Sequence, residues 1–284
     1  MRFVQWSNGQ KVPALGLGTW RMGENARARK HEVEAVKQAL QMGYRLIDTA
    51  EMYGDGGAES VVGEAIQLAI DAGIVCREEL VVVTKVLPSH ATHDGVMRAC
   101  DHSLKRLAID TVDLYLLHWR GATPLTETVA AFEQLKDQGR IKQWGVSNFD
   151  VSDMKQLWSF AEGRRCIANQ VYYSASARGA EFDLFPWHCE HSVATMAYSP
   201  INQGALARDA TFDSIGRRHG VSASATALAW VLRQPGVLAI PKAVSAPHLR
   251  ENYAAANVDL TAEDLAQIDA QFPAPKRKRP LATT

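Results

Sequence analysis

Asp48, Tyr53, Lys85 and His118 are the residues of this chain whose types and spacing could move a proton. A tyrosine ordinarily titrates near ~10 and is a poor acid at neutral pH. A lysine ammonium beside it stabilises the phenolate, and a carboxylate on that lysine holds the ammonium in place. A phenol tuned this way can give or take a proton at a carbonyl or alcohol oxygen, while a histidine orients the carbonyl by hydrogen bonding. Each residue alone has a plainer reading. Asp48 could be a loop cap, Lys85 a paired or else desolvated amine of depressed pKa, His118 a hydrogen-bonded histidine, and Tyr53 packing.

Their shared placement argues against the plainer readings. Arg45-Leu46-Ile47 leads into Asp48, Leu80 to Thr84 leads into Lys85, and Val112 to Leu117 leads into His118. Short apolar runs of this kind are how parallel strands buried on both faces look, and the loops beyond them carry chemistry. Tyr53 follows Asp48 in a loop holding Gly54, Gly56 and Gly57. If the strands are parallel, their carboxyl ends share one face and the four groups converge.

The remaining elements support such a face. Asn8-Gly9 between two short alternating runs predicts a hairpin that caps the body. Leu15 to Thr19 reads as the first buried strand, and its Gly16-x-Gly18 lacks the third glycine of a dinucleotide fingerprint. Helical faces follow, such as Val33, Val36 and Leu40 or Val96, Cys100, Leu104 and Leu107. They alternate with further strands at 141–146, 167–171, 193–197 and 237–240. Asp150 is a predicted N-cap of a helix with Met154, Leu157 and Phe160, 178–191 is a poorly patterned helical segment, and Thr261 to Asp264 is a capping box. Eight strand candidates, seven trailed by helix, predict the α/β class. The expectation is a single (β/α)₈ TIM barrel over residues 1–284, with an N-terminal hairpin cap and a C-terminal helix and tail.

Composition narrows the function. Lys plus Arg is 31 and Asp plus Glu is 31, so no charge excess points to nucleic acid or an anionic membrane as partner. The four cysteines form no CxxC pair and read as reduced thiols. Met1 to Trp6 lacks the apolar core of a signal peptide, and no apolar stretch approaches the ~20 residues of a membrane helix. A soluble cytoplasmic protein is expected. A metal-dependent barrel hydrolase would need a histidine cluster at the strand ends, where His118 stands alone; no metal is expected.

The motifs together resemble the aldo-keto reductases. They are Asp48-Thr-Ala-Glu-Met-Tyr53-Gly, Thr84-Lys85, Leu-Leu-His118-Trp119, Trp144-Gly-Val-Ser147-Asn148-Phe149, Asn169-Gln170, Ala197-Tyr198-Ser199-Pro200 and Ile240-Pro241-Lys242. The resemblance implies that Tyr53 is the general acid, that Lys85 and Asp48 tune it, and that His118 positions a carbonyl. It implies a nicotinamide cofactor, NADPH with NADH also accepted. Gly18, Thr19 and Trp20 would lie beside it, Ser147, Asn148 and Gln170 on its carboxamide, and Tyr198 against its ring. Ser199, Pro200, Ile201, Gly204 and Leu206 would follow the pyrophosphate. Lys242, Val244, Ser245, His248, Glu251 and Asn252 would hold the adenosine end.

Trp20, Met52 and Trp119 would wall a site for a small-molecule carbonyl, and Arg120 could attract a carboxylate or sit in solvent. Short loops look most like monomeric bacterial members that reduce small aldehydes, including ketoaldehydes of the methylglyoxal kind. A regulatory nicotinamide-binding subunit with little turnover would share the fold. One departure stands out: the family commonly has arginine where this chain has His248, and histidine is largely neutral near pH 7. The expectation is an NADPH preference weaker than usual and steeper towards low pH. Lys276 to Arg279 is read as a solvated basic tail.

Overall fold

In the computed structural model, which describes residues 2–283, Asn8 and Gly9 turn the chain as expected. Gly9 takes a φ of 88°, open to a residue without Cβ, and the Asn8 side chain accepts from the Gln10 amide at 3.0 Å. The turn pairs β1 (Phe3–Gln5) antiparallel with β2 (Lys11–Pro13) in a sheet separate from the main one.

Eight parallel strands follow in chain order: β3 (Leu17–Gly18), β4 (Leu46–Asp48), β5 (Val81–Val86), β6 (Val112–Leu117), β7 (Ile141–Ser147), β8 (Ala168–Tyr172), β9 (Ala194–Tyr198) and β10 (Val237–Ala239). The ends of this sheet meet. Leu15 bridges Ala239 and Gly18 bridges Lys242, with the Gly16 and Gly18 amides donating at 2.8 and 3.0 Å to the carbonyls of Ala239 and Pro241. The sheet is therefore a closed barrel, and the first strand is shorter than the 15–19 run because its flanks serve the closure. The two glycines that mimic a dinucleotide motif belong to this seam. A Cβ on Gly16 would lie 2.7 Å from the Leu46 side chain, and one on Gly18 would lie 2.6 Å from the Ile240 carbonyl.

The helices are α1 (Arg29–Gln41), α2 (Gly57–Asp71), α3 (His93–Leu107), α4 (Leu125–Asp137), α5 (Val151–Trp158), α6 (Leu184–Glu190), α7 (Ala210–His219), α8 (Ala223–Leu232), α9 (Ala246–Ala254) and α10 (Ala262–Gln271). Their apolar faces pack on the strands in one core running from Val4 to Ile268. Asp150 caps α5 by accepting from the Ser152 and Asp153 amides, and Thr261 with Asp264 forms the capping box of α10. Caps of this kind contribute about 1 kcal/mol each. The poorly patterned 178–191 segment resolves into α6 and the buried Arg178, which holds Glu181, Asp269 and the Phe272 carbonyl. Its order comes from that polar hub, so a 3.6-residue period does not show it. His188 bonds Thr195 at 2.8 Å, which makes it a structural histidine. No helix among the described residues is long and apolar enough to cross a membrane.

Candidate active site

Strands β4, β5 and β6 are adjacent and parallel, so their ends bring Asp48, Lys85 and His118 to one place. Lys85 is fully buried and uses all three ammonium protons: Nζ donates to Asp48 at 2.8 Å, to the Thr49 carbonyl at 2.8 Å and to the Tyr53 hydroxyl at 3.1 Å. The other Asp48 oxygen accepts from Gln170 Nε2 at 2.7 Å. The Tyr53 and His118 rings meet edge to face with centroids 5.7 Å apart. The loop carrying Tyr53 is braced from outside. Glu51 accepts from the Leu87 amide at 2.7 Å and pairs with His90 at 3.0 Å. Glu59 on α2 accepts from the hydroxyl of Thr84, neighbour of Lys85, and from Arg106 on α3, each at 2.6 Å.

This geometry decides which of the two readings of Lys85 holds, and it sets the direction of the Tyr53 shift. Burial alone would pull the Lys85 ammonium down, but Asp48 and the Tyr53 oxygen outweigh it and hold its pKa above the ordinary lysine value. Lys85 is a paired cation, not a depressed amine. Burial raises the Tyr53 phenol, with the Lys85 charge pulling it down and Asp48 pushing it up, and the balance leaves it raised. The phenol is thus protonated at neutral pH, the state a proton donor needs. Burial first, and then the Lys85 charge, push His118 down to about 2, so its imidazole is neutral.

Burial, aided by His191, also lowers His188, from 6.5 to about 3. Both histidines take up protons below pH ~6.5 in the unfolded chain but stay neutral when folded. Stability is therefore full above ~6.5 and falls with pH below it, by up to about 1.4 kcal/mol per pH unit for each histidine. Urea midpoints measured at about pH 7 and pH 5 should show this fall, and equal midpoints would count against it.

The quartet borders a cavity of about 1180 Å³ onto which Asp48, Tyr53 and His118 open, with Lys85 behind them. Trp20, Met52 and Trp119 wall the same end. Ser147, Asn148 and Gln170 come next as one hydrogen-bonded array. Asn148 donates at 3.1 Å to the His118 carbonyl and to Ser147 Oγ, and accepts from the Tyr198 hydroxyl at 2.9 Å. Ser147 Oγ donates to the Gln170 carbonyl at 3.0 Å. Gly18, Ser199, Pro200, Ile201 and Gly204 also line the cavity, as do Lys242, His248, Glu251 and Asn252.

The structure places four other expected cofactor residues off the cavity wall. Thr19 is buried behind it, its hydroxyl donating to the Asp48 carbonyl at 3.0 Å. Leu206 packs into the core, and Val244 and Ser245 lie at the entry to α9 without reaching the cavity. Conversely, Arg21, Arg208, Ser224 and Thr283 line it and were not singled out from the sequence. Arg21 follows Trp20 and stacks over its indole at 4.5 Å, and Arg208 lies in the loop already marked by Ser199 to Gly204. Proximity to marked residues was the available signal for these two. Nothing in the sequence signals Thr283. The tail that carries it is not freely solvated, because Lys278 pairs with Asp183 at 2.7 Å and lies 3.8 Å from Asp150, while Leu281 packs against the core.

A sequence model described as the aldo/keto reductase family matches residues 14–271. The chain belongs to the aldo/keto reductase family. As an aldo/keto reductase it is an oxidoreductase. It is 45% identical to the methylglyoxal reductase YeaE of Escherichia coli (strain K12), across 99% of this chain and 98% of that protein. It is 33% identical to the glyoxal reductase of Bacillus subtilis (strain 168), across 94% and 91% of the two chains. Among solved aldo/keto reductases, one from Klebsiella pneumoniae in complex with NADPH superposes with a TM-score of 0.94 at 46% identity, covering 100% of this chain and 99% of that one.

Proposed function

We propose that this aldo/keto reductase uses NADPH to reduce small aldehydes and ketoaldehydes, of the methylglyoxal kind, to alcohols. The observation that carries the reading is the protonated Tyr53 phenol, hydrogen-bonded to a charged Lys85 at 3.1 Å and opening with a neutral His118 onto the cavity. The names of the similar reductases from Escherichia coli and Bacillus subtilis support the substrate class, and the NADPH complex of the Klebsiella protein supports the cofactor.

The residues present fit such a cofactor. Gly204 has a φ of 91° and no atom within 4 Å of where a Cβ would stand, which leaves room for a pyrophosphate against the backbone. Arg208, Lys242 and His248 supply cationic or titratable groups to the same cavity for phosphates, and the Ser147, Asn148 and Gln170 array suits a carboxamide. When bound, the reduced nicotinamide supplies a hydride to the carbonyl carbon.

The chain does the rest. His118 donates a ring N–H to the carbonyl oxygen and fixes its direction. Tyr53 gives its hydroxyl proton to that oxygen as the π pair becomes an O–H bond. The Lys85 ammonium steadies the phenolate that remains, and Asp48 keeps the ammonium in place. Trp20, Met52 and Trp119 keep water from the reacting carbon.

Loss of reduced-nicotinamide absorbance with methylglyoxal, a nitrobenzaldehyde, glyceraldehyde and a bulky ketone tests the proposal. Oxidation dependent on the small aldehydes is expected. Tight NADPH binding without turnover would favour a regulatory subunit instead. At the phosphate end, His248→Arg should tighten NADPH binding about tenfold, because a guanidinium gives a phosphate an always-charged, two-donor contact. Fluorescence titrations of NADPH on both proteins measure this, and an NADPH affinity unmoved by the substitution would contradict it.

A further inference from the structure

The substrate end of the cavity holds a cationic group for which the proton transfer described above has no use. Arg120 lies two residues beyond His118, in the connection from β6 to α4, and lines the cavity beside Trp119. One arm of its guanidinium is fixed, because Nη1 donates to the carbonyl of Gly121 and, at 2.9 Å, to that of Thr123. A guanidinium presents five N–H donors in a rigid fork, so pinning one nitrogen orients the others without using them up. Among the described residues Arg120 forms no ion pair.

Few acids lie nearby. Asp153 on α5, whose carboxyl burial pushes up and Arg120 helps to pull down, accepts from the Asp150 amide at 3.1 Å. Of the two acids on the cavity wall, Asp48 is held by Lys85 and Gln170. The other, Glu251, is on α9 with His248. Across the apolar wall, Arg21 adds a second positive charge, exposed over the Trp20 indole. The carbonyl site is thus apolar where the reacting carbon would lie and positive at its rim, and Asp153, the acid that feels the Arg120 charge, forms no ion pair with it among the described residues.

We propose that Arg120 is a specificity residue that takes the carboxylate of a short oxo-acid or semialdehyde, so that the enzyme favours small carbonyls bearing an anionic group. The inference rests on the reductase reading above and names a substrate class within it. A charge-assisted, two-donor contact of this kind favours the anion over an uncharged isostere by about 10- to 100-fold, expressed mainly in KM.

The test compares succinic semialdehyde with butanal, which differ chiefly by the carboxylate, on the wild type, Arg120→Gln and Arg120→Lys. The wild type should prefer the semialdehyde. Arg120→Gln should lower kcat/KM for the semialdehyde about tenfold or more beyond any change with butanal, and Arg120→Lys should restore part of the difference. A second readout needs no turnover: succinate, which cannot be reduced, should quench the tryptophan fluorescence of the NADPH-loaded wild type and bind Arg120→Gln at least tenfold more weakly. A semialdehyde-to-butanal ratio and a succinate affinity that are both unmoved by Arg120→Gln would overturn the proposal. Absence of turnover with both aldehydes would instead count against the reductase reading, leaving the succinate titration to decide on Arg120.

Discussion

Tyr53→Phe is expected to lower kcat for small aldehydes by roughly 10²- to 10⁴-fold, the usual contribution of a positioned general acid. The substitution removes only the hydroxyl. The ring keeps its edge-to-face contact with His118, and Lys85 keeps its bonds to Asp48 and the Thr49 carbonyl. The loss of one acceptor from a buried ammonium should cost about 1–3 kcal/mol of stability, which a folded barrel of this size withstands. The array of Ser147, Asn148 and Gln170 does not touch the lost oxygen, so NADPH affinity should stay within about twofold, a shift of under 0.5 kcal/mol. Paired measurements of kcat and of NADPH binding by fluorescence check both halves. A kcat that survives the substitution would remove Tyr53 from the chemistry and return the regulatory-subunit reading.

Lys85→Met should have the largest effect on stability. Lys85 is fully buried against Asp48 at 2.8 Å, and Asp48 has only Gln170 as a remaining side-chain donor. Removing one partner of a buried ion pair leaves an uncompensated charge and costs about 3–5 kcal/mol. Turnover should also vanish, because the phenolate loses the cation that steadies it. The double variant Asp48→Asn with Lys85→Met removes both charges and should recover much of the lost stability while remaining inactive. Urea unfolding of the three proteins measures the pattern. A Lys85→Met protein as stable as the wild type would show that Asp48 is not held charged in the fold.

Much of this architecture is legible in the sequence because the barrel repeats one local pattern. Each apolar run of the 45–48, 80–85 and 112–117 type is too short for a helix and reads as a strand buried on both sides, and the titratable residue at its end then falls on one face of a parallel barrel. Asp48, Lys85 and His118 were found by that logic, and Tyr53 by its loop. The seam was not legible. Gly16 and Gly18 are fixed by contacts with Leu46 and Ile240, the latter far along the chain, and no local pattern announces a closure of that kind.

Charge was legible in kind but not in sign. The Lys85 and Tyr53 shifts are balances of burial against partners, and burial is set by the whole fold. Arg21 and Thr283 lie in irregular segments and Arg208 ends a single 3-10 turn (Leu206–Arg208), elements too short for periodicity to have a hold on them. The basic tail shows the same limit. Composition alone marks it as solvated, whereas Asp183 and Asp150 happen to lie where Lys278 can reach them.

Deuterium placed at C4 of the reduced nicotinamide, each face labelled separately, tests hydride transfer to a carbonyl most directly. With purified protein and methylglyoxal, the label from one face should appear in the new carbinol C–H bond of the product and none should appear in solvent. Oxidation of NADPH without alcohol, or an alcohol free of deuterium from either face, would contradict a reductase working through Tyr53 and His118.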